Sequence, residues 1–186
     1  MSIPQQPMRQ RVADQPVTTD QQHRSARRPV TVLRRALVSG TWASLVSTAV
    51  ISCFSLRRNR AAAAGTNATS QWVWGRQAHR RDGWSLRHTA LGYVIHHACS
   101  IFWASGYEWV RKGRRKPAPV LPLAVATSVL AYVVDYKVVH PRLSPGFDQR
   151  MKDRDMFFVY AAFGIGLVVP WMARRRVRDK SPRRGR

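Results

Sequence analysis

Apolar and polar positions in this chain fall in blocks. Four stretches, Ala36–Leu56, Thr89–Tyr107, Pro117–Val134 and Met156–Ala173, run 18 to 21 residues without Asp, Glu, Lys or Arg. A helix needs about 20 mostly apolar residues to cross the hydrocarbon of a bilayer. The pattern predicts an all-α membrane protein: a four-helix transmembrane bundle with disordered basic termini. Its plan is a basic tail over 1–34, a membrane domain over 35–174 and a basic tail over 175–186. The spans are expected at 36–56, 88–110, 117–139 and 155–173. Residues 1–30 are rich in Gln, Arg, Pro, Ser and Thr and offer no apolar face to bury.

Finer periodicity suggests how the spans pack. Gly40, Ser44, Thr48 and Ser52 follow one another at steps of four, and Ala162 and Gly166 repeat the step in the last span. Small residues so spaced let helix backbones approach, because lipid supplies no hydrophobic drive between helices. Thr89, Tyr93, His96, Ser100, Trp103 and Tyr107 make a seam on the second span, and Ala124, Ser128, Ala131 and Asp135 make one on the third. Both seams are expected to face the bundle interior, because polar side chains avoid lipid. The short turn 111–116 makes these two spans antiparallel neighbours.

Charge places the blocks in a membrane. The chain has 32 Lys and Arg against 9 Asp and Glu, a net charge of +23. In a soluble protein that balance would point to nucleic acid. Here the cations flank apolar blocks, so membrane lipid, anionic lipid included, is the expected partner and nucleic acid is not. With four spans, the side holding both termini and the 111–116 loop carries 20 Lys and Arg, and the other side carries 11. The excess predicts a multi-pass inner-membrane protein with N- and C-termini in the cytoplasm. Seven arginines on the first outer loop, Arg57 to Arg87, run against that rule. In that loop Trp72, Trp74 and Trp84 interleave with Arg76, Arg80 and Arg81, which suits either a segment lying in the interface or a solvated basic loop. Arg34-Arg35 loosely resembles a twin-arginine export signal, and Val50–Cys53 a lipoprotein cleavage box. The apolar run continues past both to Leu56, so a retained span is expected. Cys53 and Cys99 lie inside spans, where packing is expected and a disulfide is not.

Chemistry concentrates at one depth. His88, His96 and His97 fall in the outer half of the second span, and Asp135, Lys137 and His140 in the outer half of the third. Insertion scales charge about 2.5 to 3.5 kcal/mol for an ionised group at mid-span, so such groups need partners or a role. The first reading is a bond from His96 or His97 to Asp135. The second is a metal or haem site of His96, His97, Asp135 and His140, a ligand set suited to zinc, copper or iron. The third is a proton or ion relay through His96 and Asp135. Adjacent histidines diverge by about 100° on a helix, which weakens a joint site. His140, Arg142 and Asp148 offer either a lid over this cluster or a solvated loop, and Glu108 is expected to pair locally with Arg111 and Lys112. There is no phosphate-cradling loop, nucleophile elbow or Cys-x-x-Cys pair. No enzyme class or cofactor is indicated. The expected class is a structural or binding component acting through helix packing, in a homo-oligomer or a larger membrane complex. A metal- or haem-binding redox protein and an oligomeric small transporter subunit are the alternatives.

Overall fold

The computed structural model describes residues 19–113 and 119–180, with side chains over 30–112 and 119–177. Among the described residues the chain is helical, without strands. Its principal elements are α1 (Thr19–Asn59), α2 (Ala64–Thr69), α3 (Gln71–Trp74), α4 (Leu91–Gly113), α5 (Val120–Val133) and α6 (Asp153–Lys180). A π-helical turn, Leu86–Ala90, leads into α4, and another, Val134–Val138, extends α5. The chain divides into two compact units at Thr31/Val32. The first is described only as the opening of α1; the second holds the packed helices.

Among the described residues three helices are long and apolar enough to cross a membrane: Val30–Asn59, Val120–Val138 and Asp153–Val177. The expected fourth, α4, has the length at 23 residues but falls short in hydropathy. The reason lies in its two faces. Val94, Phe102 and Trp109 point outward and are 60%, 69% and 68% exposed, while Ser100, Tyr107 and Glu108 are buried. Averaging over the helix dilutes an apolar exterior with a polar interior. The tails also differ from expectation. Helix begins at Thr19, inside the stretch expected to be disordered, and α6 continues to Lys180, inside the expected basic tail. Adding a residue to an existing helix is far easier than nucleating one, so a span end can carry helix into polar sequence. Residues 1–18 and 181–186 lie outside the described residues.

Besides two apolar clusters, the interior holds many small polar side chains, while large apolar ones lie outside. Ser39, Ser44, Ser47, Ser55, Ser100 and Ser128 are buried, whereas Leu33, Leu45, Leu56, Val125, Phe157 and Ile165 are exposed. Water would drive the opposite distribution. The seams on α4 and α5 do turn inward: Ser100, Tyr107, Ala124, Ser128 and Ala131 are buried.

Glycines set the closest approaches. A Cβ on Gly40 would stand 2.7 Å from Cα of Ile101, and one on Gly164 2.6 Å from Oγ of Ser128. One on Gly166 would collide with the backbone of Ala43. Gly40, Gly166 and the buried Ala162 are thus used inside the fold. Ser44 is buried too, but Thr48 and Ser52 are only half-buried. Steps of four advance about 40° beyond a full turn, so that row drifts off the buried face. Burial passes instead to Ser47, Ile51 and Ser55.

The contacts order the helices. Gly40 on Ile101 and Ser47 on His96 run α4 antiparallel to α1. Ala43 on Gly166 and Arg58 on Asp155 do the same for α6. Ser128 against Gly164 and Asp135 against Tyr160 pair α5 antiparallel with α6.

Part of the first outer loop packs into the fold. All six residues of α2 are buried. Gly65 N–H donates to Ser55 Oγ at 3.0 Å, and the Thr66 carbonyl rests where a Cβ on Gly92 would be. Asn67 Nδ2 donates to the Arg81 and Gly83 carbonyls, both at 2.9 Å, and its Oδ1 accepts from Thr89 Oγ1 at 2.6 Å. Such bonds let irregular backbone lie buried among helices. Trp72 and Trp84 remain exposed.

Candidate functional site

The cluster of ionisable residues opens on an interior cavity of about 50 Å³. Its walls include Ser47 of α1, Thr69 of α2, His96 and Trp103 of α4, Asp135 just beyond α5, and Tyr160 of α6. Phe147, from the loop before α6, also lines it.

His96 Nε2 lies 2.9 Å from Ser47 Oγ, and its ring meets Phe147 edge-on with centroids 5.8 Å apart. The Ser47 hydroxyl proton goes to the Ala43 carbonyl at 2.7 Å. Asp135 Oδ2 accepts from the Tyr160 hydroxyl at 2.7 Å, and Trp103 faces the same carboxylate. Tyr160, Tyr132 and Tyr136 pack ring to ring beside it. The expected histidine–Asp135 bond is thus replaced by two bonds to different partners on one cavity wall.

Of the four expected ligands, two share the cavity. His97 stacks on Tyr93, with centroids 5.7 Å apart, and does not line it. His140 is exposed, and its Nδ1 accepts from Arg142 N–H at 3.2 Å, capping the turn Pro141–Leu143. Divergence of neighbouring helix positions and the proline break explain the separation. Among the described residues no three His, Cys, Asp or Glu side chains gather as a metal set.

Of the two readings of the loop after α5, a lid or a solvated loop, the exposed side chains fit the solvated loop. His140, Arg142 and Asp148 are exposed. Phe147, 2% exposed, is presented by a left-handed turn at Gly146 (φ 75°). Gln71 locks this loop to the first one. Its Nε2 donates to the Ser144 carbonyl at 2.6 Å, and its Oε1 lies 2.8 Å from His79 Nε2. Burial pushes the His79 imidazole below its ordinary value of 6.5, with Asp148 opposing and Arg150 assisting.

Tyr160, Trp103, Thr69 and Phe147 are the residues that sequence reasoning missed as site components. Trp103 carried a signal only as a seam position; nothing local marked Thr69 or Phe147. At the opposite end, Arg111 grips Glu108 at 2.6 Å, the local pairing expected there.

No family model matches the chain, and neither a curated protein nor a solved structure does. Its three long apolar helices are compatible with a membrane protein.

Proposed function

We propose that the chain is a four-span integral protein of a bacterial-type inner membrane, with both termini in the cytoplasm, serving as a binding component rather than an enzyme. The observation that carries this reading is the register of α4. It lies antiparallel along α1, from Ser47 against His96 to Gly40 against Ile101, at the same depth as a helix apolar enough to span. Its length of about 34 Å matches the hydrocarbon. Its outward face is apolar, so lipid is a suitable solvent for it.

Helix packing toward a partner uses a different surface from the small-residue rows, which are filled internally. The surface left is an apolar groove between α5 and α6 of about 670 Å³, running from Leu121 and Met172 to Phe157. Lipid, a second copy or a larger membrane complex would meet the protein there. Arg174, Arg175 and Arg176 continue α6 where anionic headgroups would lie.

Topology is tested by single cysteines at Arg76 and Gln149 in a Cys53→Ala, Cys99→Ala background, labelled from either side. Four spans put both on the outer face. Labelling from opposite sides would mean that α4 does not cross, and the reading would fall.

A further inference from the structure

The cavity contains a charge that helix packing leaves without a use. Asp82, Glu108 and Asp155 each meet an arginine, but Asp135 has no ion-pair partner among the described residues. It receives neutral donors, the Tyr160 hydroxyl and the Trp103 side chain. A carboxylate held among helices is stabilised by a compensating cation. Trp72, Trp103, Phe147 and Tyr160 are among the residues that line the same cavity. Ring faces attract cations, organic ammonium ions in particular. A further acceptor opens on the same space: Thr69 Oγ1 is buried without a hydrogen-bond partner, and the residue is only 2% exposed.

Size narrows the ligand. One water occupies roughly 10–15 Å³ by this measure, so about 50 Å³ admits only a few non-hydrogen atoms. Among the described residues too few anionic or imidazole ligands converge for a tightly held divalent metal. We infer that the cavity binds a small alkylammonium cation of about the size of methylammonium. Its ammonium sits on Asp135 and Thr69, and its methyl group lies against the rings of Trp103 and Phe147. This deepens the binding role proposed above and rests on it.

The full chain, purified in detergent, is titrated calorimetrically with methylammonium chloride, with potassium chloride as the control for ionic strength. The wild type is expected to bind saturably. Asp135→Asn, which keeps side-chain size and an acceptor for Tyr160, is expected to bind about tenfold more weakly or worse, and Trp103→Leu about fivefold more weakly. Tetrabutylammonium is expected not to bind. No saturable heat with the wild type, or equal affinity in Asp135→Asn, overturns the inference. Should Asp135→Asn not fold, the size series decides: tetrabutylammonium binding as well as methylammonium rules out this cavity. Cysteine labelling reads topology without any ammonium ion, so a failed titration and a failed topology remain distinguishable.

Discussion

The Tyr160 hydroxyl donates to Asp135 at 2.7 Å, tying α6 to the end of α5 across 25 positions of sequence. His96 on α4 turns instead to Ser47 on α1. Tyr160→Phe is expected to destabilise the protein by about 0.6 kcal/mol, and by no more than about 2, as interhelical bonds in membranes do. Double-mutant cycles of unfolding in mixed micelles check the pairing. Tyr160→Phe should couple to Asp135→Ala more strongly than His96→Ala does. Equal or reversed coupling would restore the direct histidine–aspartate bond.

Gly166 and Gly106 provide a contrast within comparable helices. A Cβ at Gly166 meets the Ala43 backbone, whereas one at Gly106 meets nothing within 4 Å. Gly166→Val should therefore cost about 1–3 kcal/mol through forced separation of α1 and α6. Gly106→Ala should be neutral, or stabilising by about 0.5–1 kcal/mol. Thermal unfolding in detergent measures both. A stable Gly166→Val protein would mean that this face is not packed against α1.

These contrasts mark what could be read in advance. The apolar blocks were legible because a bilayer sets a minimum length, and Ala36–Leu56 and Met156–Ala173 fall inside α1 and α6. Glu108–Arg111 was legible because positions three apart share a helix face. Asp135–Tyr160 was not, since it depends on which helices become neighbours. Burial of α2 was hidden for a related reason. Ala64–Thr69 has no pattern of its own and is buried by residues as distant as Gly92 and Met151. The Gly40–Ser52 row failed halfway because steps of four do not track a straight buried face.

Asn67 should be the most sensitive position in the outer cap. It is wholly buried and makes three side-chain bonds, to Arg81, Gly83 and Thr89. Asn67→Asp keeps the shape but turns the two donations into an oxygen facing two carbonyls. Each buried polar group left unsatisfied costs about 1–3 kcal/mol. Limited proteolysis between Gly75 and Ser85 is expected to accelerate markedly, while α5 and α6 stay protected. Unchanged cleavage would mean that Asn67 does not hold the loop.

His79 should make the cap acid-sensitive. Gln71 uses its amide nitrogen on Ser144, so its oxygen accepts from His79 Nε2–H. Nδ1 is then unprotonated, and it is buried without a partner. A proton there would have no acceptor, which agrees with the downward shift caused by burial. Above the ordinary value of 6.5, folded and unfolded chains are both neutral at this residue, and its contribution is fully present. Below 6.5 the unfolded chain takes up the proton first, so stability falls until pH passes the lower folded value. Melting temperature in detergent should therefore drop between pH 7.5 and 5, and His79→Gln should flatten the slope. An identical slope in His79→Gln would remove this imidazole from the account.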